Sequence, residues 1–202
     1  MTRRTDKPAP STLLPAELVR AVFLDRDGVI NEEVNYLCRP DEFRLLPRTA
    51  SAIRDLRRAG FRVVVVTNQS GLARGYFSPD DLDAVHERMH SELARARTRL
   101  DGIYVCPHHP DDSCHCRKPG IRLFQQAAED LKLRLDQSYY VGDKLTDLIP
   151  GKTLGGRTIL VLTGHGQREQ ELARQQSFQP DHIAANLYEV AEWIIHEDSP
   201  GL

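Results

Sequence analysis

The 202-residue sequence predicts an α/β domain: a parallel sheet between two layers of helices. From Ala21 onward, short apolar runs alternate with amphipathic segments, the pattern of strands joined by helical crossovers. Several of the runs are near-continuous Val, Ile, Leu and Tyr, as strands covered on both faces require. No internal repeat, low-complexity tract or interdomain linker breaks the alternation, and the length suits one core that folds without cross-links.

The strands expected are Ala21–Asp25, Arg62–Thr67, Gly102–Cys106, Tyr139–Asp143 and Thr158–Leu162. Between the first two, Ile53 and Leu56 are spaced for a helix over Thr49–Ala59. A longer helix follows Ser78-Pro79-Asp80-Asp81: Ser78 can cap it, Pro79 suits its first turn and Asp81 takes the capping-box position. Its apolar stripe is Leu82, Val85, Met89 and Leu93. Ile121, Phe124, Ala127 and Leu131 mark another helix, and Leu187, Val190 and Ile194 a short last one. Gly151-Lys152-Thr153 resembles the end of a phosphate-binding loop, but Thr146 stands where that motif needs its earlier glycine. Gly164-His165-Gly166 lacks the third glycine of a dinucleotide loop, and both segments are read as turns. Residues 1–20 are expected to form a mobile arm, 21–196 a single domain and 197–202 a tail.

Composition narrows the function. With 40% hydrophobic and 28% charged residues the chain groups with soluble globular proteins, and no stretch approaches the length of a membrane span. The first twenty residues lack the apolar run of a secretory signal, so a cytoplasmic protein is expected, and a monomer. A formal net charge of −2 gives no footprint for nucleic acid. Arg95, Arg97 and Arg99 are read as a solvated helix face.

Chemistry concentrates at predicted strand ends. Ala21-Val22-Phe23-Leu24 runs directly into Asp25-Arg26-Asp27-Gly28, which delivers two carboxylates where open α/β sheets bind ligands. Alternation puts both on one side of the chain, and Gly28 permits the turn that exposes them. The second strand delivers Thr67-Asn68-Gln69-Ser70-Gly71, a hydroxyl and a turn whose amides can face an anion. Arg117-Lys118-Pro119 offers two cations where the chain re-enters a helix, and the fourth strand ends in Gly142-Asp143 with Asp147 one helical turn on.

In that order the set resembles the haloacid dehalogenase superfamily of phosphatases, from about Ala21 to Gly164. FLDRDGVIN, TNQSGLARG, CPHHP, CRKP and VGDKLTD resemble its branch acting on the 7-phosphate of a heptose 1,7-bisphosphate, in nucleotide-activated heptose synthesis, and more loosely histidinol-phosphate phosphatases. The resemblance implies a Rossmann-like haloacid dehalogenase fold, and neither interval where that superfamily inserts a cap domain has room for one here. It makes Asp25 a covalent nucleophile, Asp27 the acid and base, and Thr67 and Lys118 the holders of the transferring phosphoryl group. Mg²⁺ would sit on Asp25, the main-chain carbonyl of Asp27 and Asp143, with Asp147 in support. Substrate contacts are implied for Arg26, Glu33, Val34, Asn35, Tyr36, Asn68, Gln69, Ser70, Arg117 and Lys144, and Arg117 and Lys144 could read the second phosphate.

Three of the four cysteines fall within eleven residues, as Cys106-Pro107-His108 and Cys114-His115-Cys116 on one short loop. That composition suits tetrahedral Zn²⁺ in a closed, structural site, and so short a ring resists a Cys114–Cys116 disulfide. The resemblance selects His108 over His109 and His115 as fourth ligand. His86-Glu87-Arg88-Met89-His90 matches the HExxH signature of zinc proteases, but the same helix carries the apolar stripe and no third ligand follows at a family spacing.

Overall fold

The structure, a computed structural model, describes residues 18–198. Six strands form one parallel sheet: β1 (Ala21–Leu24), β2 (Arg62–Asn68), β3 (Gly102–Cys106), β4 (Tyr139–Gly142), β5 (Arg157–Val161) and β6 (His182–Ala184). Their spatial order is β3-β2-β1-β4-β5-β6. The chain therefore winds outward from β1, returns past it after β3 and winds the other way. That reversal opens a crevice beyond the C-terminal ends of the central strands.

Strand alternation sorts the core into two halves. Val22, Leu24, Val63, Val65, Val141 and Ile159 face one side, where they meet α1 (Thr49–Arg58), α2 (Pro79–Arg95) and α6 (Leu187–Asp198). Ala21, Phe23, Val64, Val66 and Tyr140 face the other side and meet α3 (Arg122–Leu131). Phe23 packs between Phe124 and Tyr140, with ring centroids 5.2 and 5.1 Å away. The expected capping box of α2 is formed: Ser78 Oγ accepts from Asp81 N, and Asp81 Oδ2 accepts from Ser78 N. Between β1 and α1 the described residues make only isolated bridges and turns, so no folded cap domain is inserted there.

Three elements differ from expectation. Gly151-Lys152-Thr153 lies inside α4 (Leu145–Leu154) rather than in a turn, despite Pro150 in the same helix. Leu145, Leu148, Pro150 and Gly151 are buried, and a Cβ on Gly151 would lie 2.7 Å from Tyr140 and Thr158 side-chain atoms. That glycine serves close helix–sheet packing, which here outweighs the helix-breaking tendency of proline. Gly166 opens α5 (Gly166–Gln175), where only Gly166 and Ala173 are buried, too thin a stripe to show as periodicity. Strand β6 has three residues.

The ends of the domain also reach further than expected. Val19 pairs with Leu133, and Arg20 forms an ion pair with Asp198 at the end of α6, so both belong to the fold. The rest of the expected arm, 1–17, and the tail from 199 lie outside the described residues. Among the described residues no helix is long and apolar enough to cross a membrane.

Candidate active site

Continuing the alternation of β1 past Leu24 sends Asp25 toward the α3 side and Arg26 toward the α2 side. Asp25 meets Lys118, whose Nζ donates to Asp25 Oδ1 at 2.9 Å and to the carbonyl of Val66 at 2.6 Å. The same ammonium lies 2.8 Å from Asp147 Oδ1. Asn68 at the end of β2 holds the lysine's backbone, accepting from Lys118 N at 3.0 Å and donating to Lys118 O at 3.2 Å. Burial works against the charge on Lys118, but Asp147 and Asp25 overcome it and raise its pKa. The lysine is thus a fixed cation.

Asp27 is held on three sides. Arg26 grips its carboxylate from Nε and Nη2 at 2.8–3.2 Å, Asn31 Nδ2 donates at 2.9 Å and Gln69 Nε2 at 3.0 Å. Gln69 Nε2 also donates to Thr67 Oγ1 at 2.9 Å. Burial acts to raise the Asp27 pKa, but the Arg26 charge and these hydrogen bonds outweigh it and hold the carboxyl below its ordinary value.

Asp143 follows β4 and is fully buried. Its Oδ2 accepts from His165 N at 2.8 Å, whereas its buried Oδ1 has no hydrogen-bond partner. Two glycines make room for it. A Cβ on Gly28 (φ +79°) would lie 2.3 Å from Oδ2, and one on Gly164 (φ +54°) 2.2 Å from it. Burial, with Asp147 and Asp25 nearby, lifts Asp143 to about 8. Burial and Asp25 also lift Asp147 to about 6, against the pull of Lys118. Carboxylate oxygens of Asp25, Asp143 and Asp147 lie within 4.8 Å of one another. A crowded acidic cluster with an unpartnered buried oxygen fits a hard divalent cation.

These groups open onto a cavity of about 570 Å³. Asp25, Asp27, Thr67, Lys118 and Asp147 line its floor. Glu33, Val34, Asn35, Tyr36, Asn68, Gln69, Ser70, Arg117 and Lys144 also line it, with Lys144 Nζ 3.6 Å from Glu33 Oε2. Arg117 has a buried Nη1 with no hydrogen-bond partner. Burial acts to lower the Lys144 pKa, but Asp143, Asp25 and Glu33 raise it. Arg26 is the exception among the expected substrate contacts: it is fully buried and lines no wall of the cavity. Its odd–even position on the strand turns it into the core behind Asp27.

The cysteine loop closes on itself beside this floor. His108 Nδ1 lies 3.1 Å from Cys116 Sγ and 3.6 Å from Cys106 Sγ, and Cys106 Sγ lies 3.2 and 3.8 Å from the sulfurs of Cys116 and Cys114. All four cysteines of the chain are free thiols, and this set of ligand atoms, within 4.8 Å of one another, could hold a metal ion.

Sequence reasoning did not single out Asn31 or His165, which contact Asp27 and Asp143 through short polar links. The HExxH histidines form no metal-ligand group among the described residues. His86 is buried with its Nε2 3.2 Å from Arg26 Nη1, and a guanidinium can only donate, so that lone pair is occupied. His90, a turn on, is exposed.

A fold wound in this order, with an aspartate pair, a threonine, a lysine and a second aspartate converging on one crevice, defines a haloacid-dehalogenase-like hydrolase, and the HAD-hydrolase-like family pattern matches residues 115–190. The chain is 40% identical over 186 residues to a D-glycero-D-manno-heptose-1,7-bisphosphate 7-phosphatase of Chlorobaculum tepidum, covering 86% of this chain and 92% of that one. It is 44% identical over 153 residues to the D-glycero-beta-D-manno-heptose-1,7-bisphosphate 7-phosphatase of Haemophilus ducreyi, covering 72% and 84%. Among solved structures it superimposes with a TM-score of 0.81 and 38% identity on a D,D-heptose 1,7-bisphosphate phosphatase of B. bronchiseptica complexed with magnesium and phosphate, over 88% of this chain and 99% of that one. The chain belongs to the heptose 1,7-bisphosphate 7-phosphatase family of HAD-like hydrolases. It is a phosphatase acting on phosphate monoesters.

Proposed function

We propose that the protein removes the 7-phosphate of D-glycero-D-manno-heptose 1,7-bisphosphate through an aspartyl-phosphate on Asp25. The observation that carries this reading is one cavity whose lining holds Asp25, Asp27 and Lys118 together with two further cations, Arg117 and Lys144. On its floor Lys118 fixes Asp25 beside Asp27 and Asp147. On its wall Arg117 and Lys144 supply cationic groups for a second phosphate. A sugar bisphosphate needs cations beyond those that hold the transferring phosphoryl group, and this lining supplies them.

Asp25 attacks phosphorus in line and the bond from phosphorus to the sugar oxygen breaks; Asp27, ionised in the free protein, takes up a proton as substrate binds and gives it to the departing oxygen. Asp27 then takes a proton from the water that hydrolyses the acyl phosphate. Lys118 and the Thr67 hydroxyl hold the equatorial oxygens of the phosphoryl group. Asp25, Asp143 and the carbonyl of Asp27 would bind Mg²⁺, which offsets the repulsion between an anionic nucleophile and an anionic ester. Zn²⁺ on Cys106, His108, Cys114 and Cys116 would be structural, since four protein ligands leave no open position. Four free thiols fit a cytoplasmic setting.

The test is turnover of both anomers of the heptose bisphosphate with Mg²⁺, beside histidinol phosphate, with phosphorus NMR identifying the phosphate released. Loss of the 7-phosphate, faster than that of histidinol phosphate by about 100-fold or more in kcat/KM, is expected. Asp25→Asn should fold and bind yet lose more than about 99% of turnover. Residual turnover of several per cent would sink the covalent route, and preferential release from carbon 1 would sink the substrate assignment.

A further inference from the structure

The HExxH segment leaves a histidine that neither zinc nor the apolar stripe explains. His86 lies on α2, buried on the face turned to the sheet, where alternation of β1 also delivers Arg26. The guanidinium of Arg26 is fully buried. Its Nε and Nη2 hold the Asp27 carboxylate, and its Nη1 meets His86 Nε2 at 3.2 Å. Because Arg carries only donors, Nε2 must be the acceptor and the ring proton sits on Nδ1. Burial and the Arg26 charge lower the His86 pKa to about 4, so the neutral ring persists at physiological pH.

We infer that His86 is a positioning residue for proton transfer: it anchors the far end of the Arg26 guanidinium, and that planar group aims the carboxylate of Asp27 at the leaving oxygen. The inference rests on the acid role of Asp27. A guanidinium is rigid and forked, so fixing Nη1 at one end sets the tilt of the Nε and Nη2 pair at the other. Asn31 and Gln69 restrain the two carboxylate oxygens individually, but His86 alone among the described side chains is seen to accept from Nη1. Losing that acceptor strands a buried charged donor and frees the plane to rock, and small misplacements of a catalytic group carry large rate costs.

The experiment compares leaving groups. kcat/KM reports steps through departure of the leaving group. A sugar alkoxide needs a proton, whereas a nitrophenolate leaves without one. His86→Leu keeps the apolar volume and removes the acceptor; it should lose about tenfold or more in kcat/KM on the sugar phosphate and no more than about twofold on p-nitrophenyl phosphate. His86→Gln, whose side-chain oxygen can accept near the position of Nε2, should recover to within about threefold of the parent. If His86→Leu does not fold, His86→Met supplies the same comparison. Equal losses on the two substrates, no loss on either, or a Gln variant as impaired as the apolar one would each overturn the proposal. Asp27→Asn is assayed in parallel. If it shows no preference for the better leaving group, the acid role fails and the His86 inference with it. If Asp27→Asn is selective and His86→Leu is not, only the inference falls.

Discussion

At the scale of single residues, Asp143 shows how a site can be built at the expense of the metal-free fold. Its carboxyl is buried, sits near Asp147 and Asp25 and keeps one oxygen without a partner. Burial and those neighbours raise its folded pKa to about 8. The sign follows from proton counting. Between the ordinary carboxylate value near ~4 and about 8 the folded state holds a proton that the unfolded state has released. The metal-free protein should therefore lose stability as pH rises through that window. Asp143→Asn removes the ionisation and should raise metal-free stability at pH 8 by up to about 5 kcal/mol in urea titrations, while abolishing stabilisation by added Mg²⁺. A variant still stabilised by magnesium as strongly as the parent would remove Asp143 from the ligand set. Legibility at this scale was uneven for physical reasons. Asp25, Asp27, Thr67, Lys118 and Asp143 stand in ordered motifs at strand ends, so the sequence displays them. The true setting of Arg26 was hidden because two adjacent residues on a strand point to opposite faces, and its motif neighbours made it look like part of the cavity. His165 comes from a loop far along the chain and contributes a backbone N–H to Asp143, which no side-chain pattern announces.

At the scale of elements, the 106–118 loop joins the Cys/His cluster, which could hold a metal, to Lys118 on the cavity floor. Cys106 ends β3, Cys116 is two residues before Lys118, and Cys114 and Cys116 pack against the α3-side core. A metal bound to the four ligands would close the loop and fix the approach of Lys118, whose backbone is otherwise held by Asn68. Cys114→Ser should therefore lower zinc content, cost about 2–4 kcal/mol of stability in denaturant titrations and reduce kcat about tenfold or more with KM less affected. A variant with wild-type kcat and no zinc would show that the loop holds its shape without metal. The elements themselves were read from the sequence where burial makes a repeating pattern. Strands β1 to β5 and helices α1, α2, α3 and α6 carry apolar runs or stripes; the structure has the strands and α1 within a residue of the expected bounds, and α2, α3 and α6 where their stripes fall, with α6 running on to Asp198. Helix α4 was obscured by Pro150 and by Gly151, chosen for contact with Tyr140 rather than for a turn. Helix α5 buries too little to show a stripe, and β6 is too short to show alternation.

At the scale of the whole molecule, the sheet separates two cores of different consequence. The α1, α2 and α6 side contains the larger cluster, including Ile53, Met89, Val190 and Ile194, all with no exposed surface. The α3 side is smaller, and in it the aromatic set of Phe23, Phe124 and Tyr140 is continuous with Cys106, Cys114 and Cys116. The second core therefore underlies the loop that delivers Lys118, while the outer helix α6 supports the sheet from a face remote from that loop. Truncating a buried side chain on either side removes transfer free energy and leaves a cavity, but the cavities should have different catalytic effects. Ile194→Ala should cost about 2–5 kcal/mol and leave kcat within about twofold at temperatures well below the transition, because proteins keep the geometry of distant, independent sites. Phe124→Ala should cost about 3–5 kcal/mol and also lower kcat about tenfold, because α3 and the cysteine loop lose the surface they are packed on. Urea titration of both variants beside steady-state kinetics at one low temperature separates the two effects. Equal kcat values for two equally destabilised variants would mean that Lys118 is held by Asn68, Asp25, Asp147 and the Val66 carbonyl alone, and that the second core contributes stability without setting the position of Lys118.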